Sequence, residues 1–385
     1  MPASPIRKLA PLADAAKQRG IHVFHLNIGQ PDLPTPQVAI DAIRNIDRKV
    51  LEYSPSAGYR SYREKLVGYY DKYNIKLTAD DIIITSGGSE AVLFSFMACL
   101  NPGDEIIVPE PAYANYMAFA ISAGARIRTI ATTIEEGFSL PKVEKFEELI
   151  NERTRAILIC NPNNPTGTVY TRKELEELAA FCVEHDLICV CDQAFEDTVF
   201  PEHEMICICQ LPGMWERTVT VCSVSKGMGL SGFRVGWTYA TDTIMDTYYG
   251  AAVNIQGATS TLAQLAVMPA FRDDSFIQDY MKKYDNRRKY AYKLFNNIPG
   301  VSMQMPESGF FVWIDISKLG DSSEITAYLA KEALVSLNDG KFYGDMGNGH
   351  LRLIAGCFWD DKDSFAAMDR MAAAFRKLAE KKGLA

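Results

Sequence analysis

The chain has 385 residues, enough for two domains or for one large domain with an appendage. Its apolar fraction of 48% and charged fraction of 23% are those of an ordinary soluble globular protein. The net charge of −8 excludes a typical nucleic-acid-binding protein, which would present a basic surface. No uncharged apolar run approaches the roughly 20 residues of a membrane span, and residues 1–20 lack the continuous apolar core of a signal peptide. We therefore expect no nucleic-acid partner and no membrane association.

The first forty residues predict an extended arm with one short helix before it, because Pro31, Pro34 and Pro36 interrupt any regular pattern. From about Asp41 onward, helical patterns alternate with short apolar runs. Five of these runs predict buried strands, at 82–84, 105–108, 156–159, 187–191 and 218–221. Runs that are apolar on both faces and separated by helices predict a largely parallel sheet with helices on both faces.

The C-terminal third has a different pattern. Residues 274–297 predict one long charged helix that ends before Pro299 and bridges two domains. Residues 309–314 and 350–354 predict strands of a smaller α+β unit, and residues 363–382 predict an amphipathic helix. The fold class is therefore α/β. We expect a large domain at 45–280 and a small domain made of residues 281–385 and the N-terminal arm, 1–44.

The nine cysteines are scattered, and the closest pairs are two residues apart, Cys189 with Cys191 and Cys207 with Cys209. On a strand this spacing points both thiols to one face, whereas zinc sites usually have two to four residues between paired ligands. We therefore expect no metal site, and reduced, mostly buried thiols in a cytoplasmic protein.

Lys226 lies in the stretch 223–236, which is rich in hydroxyls and glycines and carries Arg234 eight residues later. A lysine whose amine is desolvated or flanked by cations can be neutral near pH 7 and form a Schiff base. Ser223 and Arg234 are the groups that a phosphate-bearing aldehyde needs beside that amine. The stretch predicts a pyridoxal-phosphate enzyme with Lys226 as its catalytic residue.

Residues 82–91 predict a strand, a turn at Gly87 and Gly88, and the start of a helix. A helix N-terminus presents free backbone N–H groups and the positive end of the helix dipole, so it favours an anion. Ser89 can add a hydroxyl to such a site. An ordinary helix cap after a tight turn is the alternative.

The segment Asn-Pro-Asn-Asn-Pro-Thr-Gly at 161–167 follows a predicted buried strand. Its prolines and glycine predict a rigid turn at the carboxyl end of that strand, where open α/β sheets bind ligands. Asn164 would then direct its amide into the crevice. A purely structural turn is the alternative, and nucleic-acid methyltransferases have a loosely similar Asn-Pro-Pro motif.

Asp192 ends an apolar run, and a buried carboxylate is costly unless it has a partner. A pyridinium nitrogen would be such a partner, and its proton makes the ring an electron sink. Arg352 would point inward from a predicted strand and could bind a substrate carboxylate with two hydrogen bonds. Tyr113 could stack on a cofactor ring. A structural Asp, a buried ion pair and a core aromatic are the respective alternatives.

Together and in this order, these motifs resemble the fold-type I, class I/II aminotransferases of the aspartate aminotransferase superfamily. The resemblance runs from 26–32 (Leu-Asn-Ile-Gly-Gln-Pro-Asp) to 351–353 (Leu-Arg-Leu). It implies pyridoxal 5'-phosphate as cofactor and transfer of an amino group between an L-amino acid and a 2-oxo acid. It also implies that Lys226 forms the Schiff base and moves the proton between the substrate α-carbon and C4′ of the cofactor.

The resemblance also implies roles for the other residues. Asp192 would pair with the pyridinium nitrogen, Asn164 would bind O3′ of the ring, and Tyr113 would stack on it. The phosphate would be held by Gly87, Gly88, Ser89, Ser223 and Arg234, with Ser225 as a secondary candidate. Arg352 would bind the substrate α-carboxylate, helped by Asn164 and the backbone at Gly29. Family members are usually dimers, and Tyr53 matches the tyrosine that reaches the phosphate from the partner subunit, which predicts a homodimer.

The chain departs from the family pattern at two positions. Three residues after the pyridinium aspartate the family usually has a tyrosine that donates to O3′, and this chain has Phe195. Some aspartate-specific relatives have a lysine where this chain has Ser89, and no residue here is assigned to a second carboxylate. The amino donor is therefore not implied by the resemblance.

Three other functions are alternatives. A pyridoxal-phosphate C–S β-lyase is the closest, because 337–340 (Leu-Asn-Asp-Gly) is similar to such lyases, although Arg234 favours the aminotransferases. A ligand-sensing domain of a transcription regulator would need an added DNA-binding segment, and the chain is acidic. A nicotinamide dehydrogenase would need Gly-x-Gly-x-x-Gly after its first strand, which is missing.

Overall fold

A computed structural model describes residues 18, 20, 22–272, 275–356 and 360–384 of the chain. The short helix predicted before the arm and most of residues 1–21 lie outside these residues, as does Asp274. Within the described ranges, no helix is both long and apolar enough to span a membrane. No group of three or more His, Cys, Asp or Glu in those ranges could hold a metal ion.

The described residues form thirteen strands, which are numbered in chain order. They are β1 Phe24–His25, β2 Ile82–Thr85, β3 Glu105–Glu110, β4 Arg126–Ala131, β5 Thr154–Cys160, β6 Ile188–Asp192, β7 Thr218–Ser223, β8 Gly236–Tyr239, β9 Ser302–Met303, β10 Phe311–Asp315, β11 Val335–Ser336, β12 Asn338–Asp339 and β13 His350–Ile354.

The α-helices are numbered in the same way. They are α1 Gln37–Arg44, α2 Arg60–Tyr70, α3 Gly88–Cys99, α4 Tyr116–Ala123, α5 Val143–Glu147, α6 Arg172–Glu184, α7 Asp242–Ala251, α8 Thr261–Val267, α9 Ser275–Phe295, α10 Ser322–Tyr328 and α11 Asp361–Lys381. Short 3-10 helices lie at Asp71–Tyr73, Ala79–Asp81, Glu196–Thr198, Ile208–Gln210, Trp215–Arg217, Ser231–Phe233, Met268–Phe271, Gly340–Tyr343 and Asp345–Gly347, and π-helical turns at Ala252–Gln256 and Leu329–Ala333.

The large sheet contains seven strands in the order β2-β8-β7-β6-β5-β3-β4. Only β8 runs antiparallel to its neighbours, β2 and β7. The other neighbouring pairs are parallel. The carboxyl ends of six strands therefore meet at one edge of the sheet, which is where open α/β sheets bind ligands.

Strand β5 shows why this sheet is covered on both faces. Its side chains alternate between the two faces, as they do in any strand. Ile157 and Ile159 pack against α6, while Ala156 and Leu158 pack against α3 on the other face. An apolar run without polar alternation is stable in this position because neither face of the sheet meets water.

The small domain has a four-stranded sheet in the order β12-β13-β10-β9 and the two-stranded parallel pair β1-β11. Phe24 and Leu26 of the arm pack in its core beside Phe295 of α9 and Phe375 of α11. Helix α9 contributes to two cores, because Ile277 packs with the large domain. The boundary at 280/281 stays a prediction.

The α/β fold class is confirmed, and each of the five predicted runs of the large domain forms a strand. The arm is shorter than predicted, because α1 begins at Gln37, directly after Pro36. Strands β4 and β8 had no clear apolar run. β4 is an edge strand with polar, largely exposed positions, and β8 has four residues.

Candidate active site

A cavity of about 670 Å³ lies between the carboxyl edge of the large sheet and the small domain. The predicted site residues that line it are Gly29, Gly88, Ser89, Tyr113, Asn164, Asp192, Ser223, Ser225, Lys226, Arg234 and Arg352. Gly87 lies next to Arg234 at one end of the cavity. Tyr53 is not among the lining residues, and 93% of it is exposed. The structure therefore brings together every predicted position except Tyr53.

The sheet explains this convergence. Asp192 and Ser223 are the last residues of β6 and β7. Gly87, Tyr113 and Asn164 follow shortly after the ends of β2, β3 and β5. Because these strands are parallel to one another, their ends deliver the five positions to one edge.

Lys226 is held in the wall of the cavity by the N-terminal arm. Its Nζ donates a hydrogen bond of 2.6 Å to the carbonyl oxygen of Gly29. Burial lowers the pKa of this amine to about 8, helped by the positive charges of Arg352 and Arg234, while Asp192 opposes the shift. The amine can therefore lose its proton in mildly alkaline solution, as a nucleophilic lysine must.

Asp192 is oriented by two hydrogen bonds. The hydroxyl of Tyr116 donates to Oδ2 at 2.7 Å, and the backbone N–H of Ala194 donates to Oδ1 at 3.0 Å. Burial raises the pKa of this carboxyl, while Tyr116, Ala194 and Lys226 lower it. The carboxylate is fixed beside Lys226, where it suits a cationic ring nitrogen.

One end of the cavity has the features of an anion site. Gly87 has φ +92°, and a Cβ there would lie 2.6 Å from Nη2 of Arg234. Helix α3 begins at Gly88, so its N-terminal N–H groups are at the same place. Ser223 donates from Oγ to Oγ of Ser225 at 2.9 Å. A guanidinium that packs directly against Gly87, two hydroxyls and a helix N-terminus thus lie together at this end of the cavity.

Arg352 lies at another part of the cavity and is 5% exposed. Its Nη1 donates to Oδ1 of Asn164 at 2.9 Å, and its guanidinium lies 4.9 Å from the ring centroid of Tyr343. Its Nε is buried and has no hydrogen-bond partner. Asn164 and Tyr343 therefore fix the guanidinium in the cavity wall, where its charge suits a carboxylate.

The comparisons with known proteins agree with this geometry. Residues 21–367 match the model of the family "Aminotransferase class I and II". The chain is a class I/II aminotransferase. It is 32% identical to the aspartate aminotransferase of Pyrococcus abyssi, an alignment that covers 97% of this chain and 96% of the relative. It is also 32% identical to aromatic-amino-acid aminotransferase 2 of Thermococcus litoralis, over 98% of this chain and 96% of that one.

Solved structures of aminotransferases have the same fold. The aspartate aminotransferase from Thermus thermophilus with maleate superimposes with a TM-score of 0.90 at 28% identity, over 97% of each chain. The aromatic aminotransferase from Pyrococcus horikoshii OT3 gives a TM-score of 0.88 at 30% identity, over 97% of this chain and 100% of that one. The enzyme therefore transfers amino groups and depends on pyridoxal phosphate, as its family does.

The residues of this aminotransferase fit that cofactor. The end of the cavity lined by Arg234, the serine hydroxyls and the start of α3 suits a phosphate. The buried carboxylate of Asp192 faces the same cavity and suits a protonated pyridine nitrogen. Lys226 lines the same cavity, and the charges of Arg352, Arg234 and Asp192 all influence its pKa.

Several functional positions had not been found from the sequence. Tyr116 orients Asp192 from the first turn of α4, and its only local signal is a spacing of three residues from Tyr113. His25, Asn27 and Ser336 line the cavity from β1, the chain after it and β11. Nothing in the local sequence marks these three residues, because their place depends on how the two ends of the chain pair.

A second buried carboxylate lies behind the site in this aminotransferase. Oε1 of Glu196 accepts hydrogen bonds from the hydroxyls of Tyr69 at 2.9 Å and Tyr70 at 3.1 Å, and Oε2 accepts one from Gln193 at 3.3 Å. Burial raises the pKa of Glu196 to about 8, and the charge of Asp197 adds to this effect. Between pH 4.5 and about 8, the carboxyl therefore keeps its proton in the folded protein but loses it in the unfolded chain.

The Glu196→Gln variant is expected to lose part of the pH dependence of stability. Because the folded pKa exceeds the unfolded value of 4.5, the stability from this group is complete below pH 4.5 and is lost as pH rises through about 8. Between about pH 6 and about pH 9, the free energy of unfolding should fall at least about 1 kcal/mol more in the native protein than in the variant. Urea denaturation followed by circular dichroism measures this, with exposed Glu184→Gln as the control. Identical pH dependence in the Glu196→Gln and native proteins would contradict the assignment.

Proposed function

We propose that this aminotransferase carries pyridoxal phosphate on Lys226 as a Schiff base and that the same amine moves the substrate proton. The observation that carries the proposal is the position of the Lys226 amine, in one cavity with Asp192, Arg234 and Arg352. The bound cofactor supplies an electron sink for the bond broken at the substrate α-carbon. The residues of the protein then have to bind and orient the cofactor and the substrate, and to move one proton.

The proposed cofactor contacts are those that the family resemblance implies, and the shared cavity supports them. Asp192, held by Tyr116, keeps the ring nitrogen protonated. Asn164 would bind O3′, and Tyr113 would stack on the ring. Gly87, Gly88, Ser89, Ser223 and Arg234 hold the phosphate, and Ser225 orients Ser223 through the hydroxyl contact of 2.9 Å.

The proposed substrate contacts place the reacting carbon beside Lys226. Arg352 binds the α-carboxylate with two parallel hydrogen bonds, while Asn164 fixes the guanidinium. Gly29 lies beside the guanidinium of Arg352, because a Cβ at this position would be 3.4 Å from Nη2. The low pKa of Lys226 lets it be neutral when it accepts the proton. One lysine can therefore remove a proton from the α-carbon and return it at C4′.

An absorbance spectrum of the purified protein, followed by additions of single amino acids, tests this proposal. We expect a band at about 420 nm that an amino donor removes and a 2-oxo acid restores. If the band persists while pyruvate accumulates, the chain acts as a C–S β-lyase. If added pyridoxal phosphate does not colour the protein, the role proposed for Lys226 is wrong.

Phe195 offers a direct test of the cofactor's electronic environment. Its ring centroid lies 5.9 Å from Nζ of Lys226, and the ring packs against Phe310 and Phe311. A tyrosine hydroxyl at this position would donate to O3′ and reduce the negative charge that holds the Schiff-base proton. In the Phe195→Tyr variant this proton should leave about one pH unit lower than in the native enzyme. Spectrophotometric titration measures it, and an equal or higher pKa in the variant would contradict the expectation.

A homodimer in which Tyr53 reaches the partner's phosphate site remains our proposal. Tyr53 is 93% exposed, and Val50 and Leu51 beside it are 69% and 52% exposed. Such a run of exposed apolar side chains favours an interface. We expect sedimentation to give a dimer, and Tyr53→Ala to weaken cofactor binding about tenfold. A monomer with unchanged cofactor affinity would contradict both parts.

A cytoplasmic location also remains a proposal. Its support is the state of the thiols, since every cysteine in the described ranges is free and all but Cys99 are buried.

A further inference from the structure

A polar network lies behind the loop that carries Lys226, and the chemistry above does not use it. Its centre is Asp197, in the 3-10 helix Glu196–Thr198 that follows β6. Oδ1 of Asp197 accepts hydrogen bonds from the hydroxyl of Tyr69 at 2.6 Å and from Nζ of Lys72 at 2.8 Å. The side chain of Asp197 is only 10% exposed. A hydroxyl and a cation thus hold one carboxylate oxygen, and bonds of this charge-assisted kind are the strong ones.

The neighbours of Asp197 reinforce this attachment. The carboxyl of Glu196, the preceding residue, accepts hydrogen bonds from the hydroxyls of Tyr69 and Tyr70. Nζ of Lys72 also lies 3.8 Å from the ring centroid of Tyr69. The chain around Asp197 is therefore fastened to α2 and to the turn that follows this helix.

The other side of Asp197 packs against the residue after Lys226. A Cβ at Gly227 would lie 2.5 Å from Cβ of Asp197 and 3.1 Å from its Oδ2. The φ of Gly227 lies outside the left-handed region, so the obstacle to a larger residue is steric rather than conformational. Asp197 therefore limits how far the backbone at Gly227 can approach it.

The segment 192–198 contacts the active site at more than one point. Its first residue, Asp192, lines the cavity. The ring centroid of Phe195 lies 5.9 Å from Nζ of Lys226. Asp197 then packs behind the loop that carries this lysine. A displacement at Asp197 would thus change the position of the Lys226 amine relative to the Asp192 carboxylate.

We propose that Asp197 is a positioning residue for Lys226. Tyr69 and Lys72 hold its carboxylate, and its side chain sets the backbone position from which the lysine amine reaches the reacting carbon. This inference rests on the proposed function, because it assumes that Lys226 moves the substrate proton. Asp197 is not among the residues that line the cavity, so it acts through Lys226.

The Gly227→Ala variant tests the contact between the two segments. Carbon atoms in ordinary contact are about 3.5–4.0 Å apart, so the added methyl group should push the Lys226 backbone about 1 Å away from Asp197. A displacement of this size can lower a rate by about 10²-fold. We expect that loss in the saturating rate at which an amino acid removes the visible band. The half-saturating concentration should change by no more than about threefold, because Arg352 is not displaced.

A second substitution shows whether Asp197 causes the loss. Asp197→Gly removes the Cβ, Cγ and Oδ2 atoms that an alanine at position 227 would meet. In the Asp197→Gly background, adding Gly227→Ala should therefore lower the saturating rate by no more than about threefold. A general loss of folding would not be relieved in this way.

Two further variants test the attachment of Asp197. Asp197→Ala keeps Cβ but loses the bonds from Tyr69 and Lys72, so its saturating rate should fall about tenfold. Asp197→Asn keeps the shape and an Oδ1 acceptor, and its rate should stay within about threefold of native. Asp279→Ala is the matched control, because Asp279 is 75% exposed and pairs with Lys282 at the surface.

The measurement is stopped-flow absorbance of each holoenzyme. The probe is whichever of the twenty common L-amino acids removes the native band fastest. Rates are expressed per site that shows the visible band, so that unfolded protein does not count as a loss in rate. If Asp197→Ala does not fold, Gly227→Ala and the double variant decide the question.

The outcomes separate the two proposals. If no amino acid removes the native band, the proposed function itself fails. If Gly227→Ala stays within about threefold of the native rate, or if Asp197→Gly does not relieve its loss, the positioning role is wrong and the proposed function stands. A loss in saturating rate that Asp197→Gly relieves, with the half-saturating concentration unchanged, supports the positioning role.

Discussion

The Lys226→Ala variant is expected to lose transamination activity by at least about 10³-fold and to lose the visible band of the native enzyme. Lys226 is the one lysine that lines the cavity in the described part of the chain, and its pKa of about 8 makes it the available amine there. Without this amine, the cofactor has no group to attach to. The substrate proton also has no base at the right place that could accept it. Stopped-flow absorbance with a saturating amino acid measures both losses.

Two controls make this result specific. Lys318→Ala removes an exposed lysine of the small domain and should leave the spectrum and the rate as they are. Circular dichroism should show the same folded state for both variants. If Lys226→Ala turns over within about tenfold of the native rate, another residue moves the proton and the proposed mechanism is wrong.

The Asp192→Asn variant is expected to lower the maximal rate by about 10²–10³-fold. The asparagine has the same shape and can keep a hydrogen bond with Ala194, but it no longer carries the charge that holds a proton on the ring nitrogen. A loss of this size corresponds to about 3–4 kcal/mol of transition-state stabilisation. Single-turnover rates with saturating cofactor separate this effect from weaker cofactor binding.

Tyr116→Phe is the graded companion of that variant. It leaves the carboxylate charged and removes only the hydrogen bond of 2.7 Å to Oδ2. The loss in rate should be about tenfold or less, well short of that in Asp192→Asn. If the two variants are equally impaired, the charge of Asp192 is not what matters, and its role is positional.

The sequence predicted the fold class and most of the cavity for one physical reason. Asp192 ends one uninterrupted apolar run, and the segment 161–167 follows another. Such runs indicate strands that are buried on both faces. Parallel strands place their carboxyl ends at one edge, so polar residues directly after the runs had to converge there. Lys226 and Arg234 could be assigned to the cavity from the sequence alone, because they follow β7 in the chain.

What the sequence did not predict depends on contacts between distant segments. Tyr116 is one aromatic residue of an apolar helix until its hydroxyl is seen against Asp192. His25 and Asn27 lie in an arm whose direction follows from pairing with β11. Strand β4 lies at the edge of the sheet and is largely exposed to water. Its sequence is therefore too polar to contain an apolar run. Tyr53 is a related case, because its proposed role depends on contacts with a second subunit.

The parallel pair β1-β11 has a consequence for how the enzyme is made. Phe24 near the start of the chain is the register partner of Val335 near its end, and the same core takes in Phe375 and Ala379. The large domain's strands have all left the ribosome well before these partners have, so its hydrophobic interior can close first. Residues 24 and 25 of the arm then stay without their strand partners until Val335 and Ser336 have been synthesised. The bond between Lys226 and Gly29 can form only at that stage, so this part of the active site is assembled after the interior of the large domain.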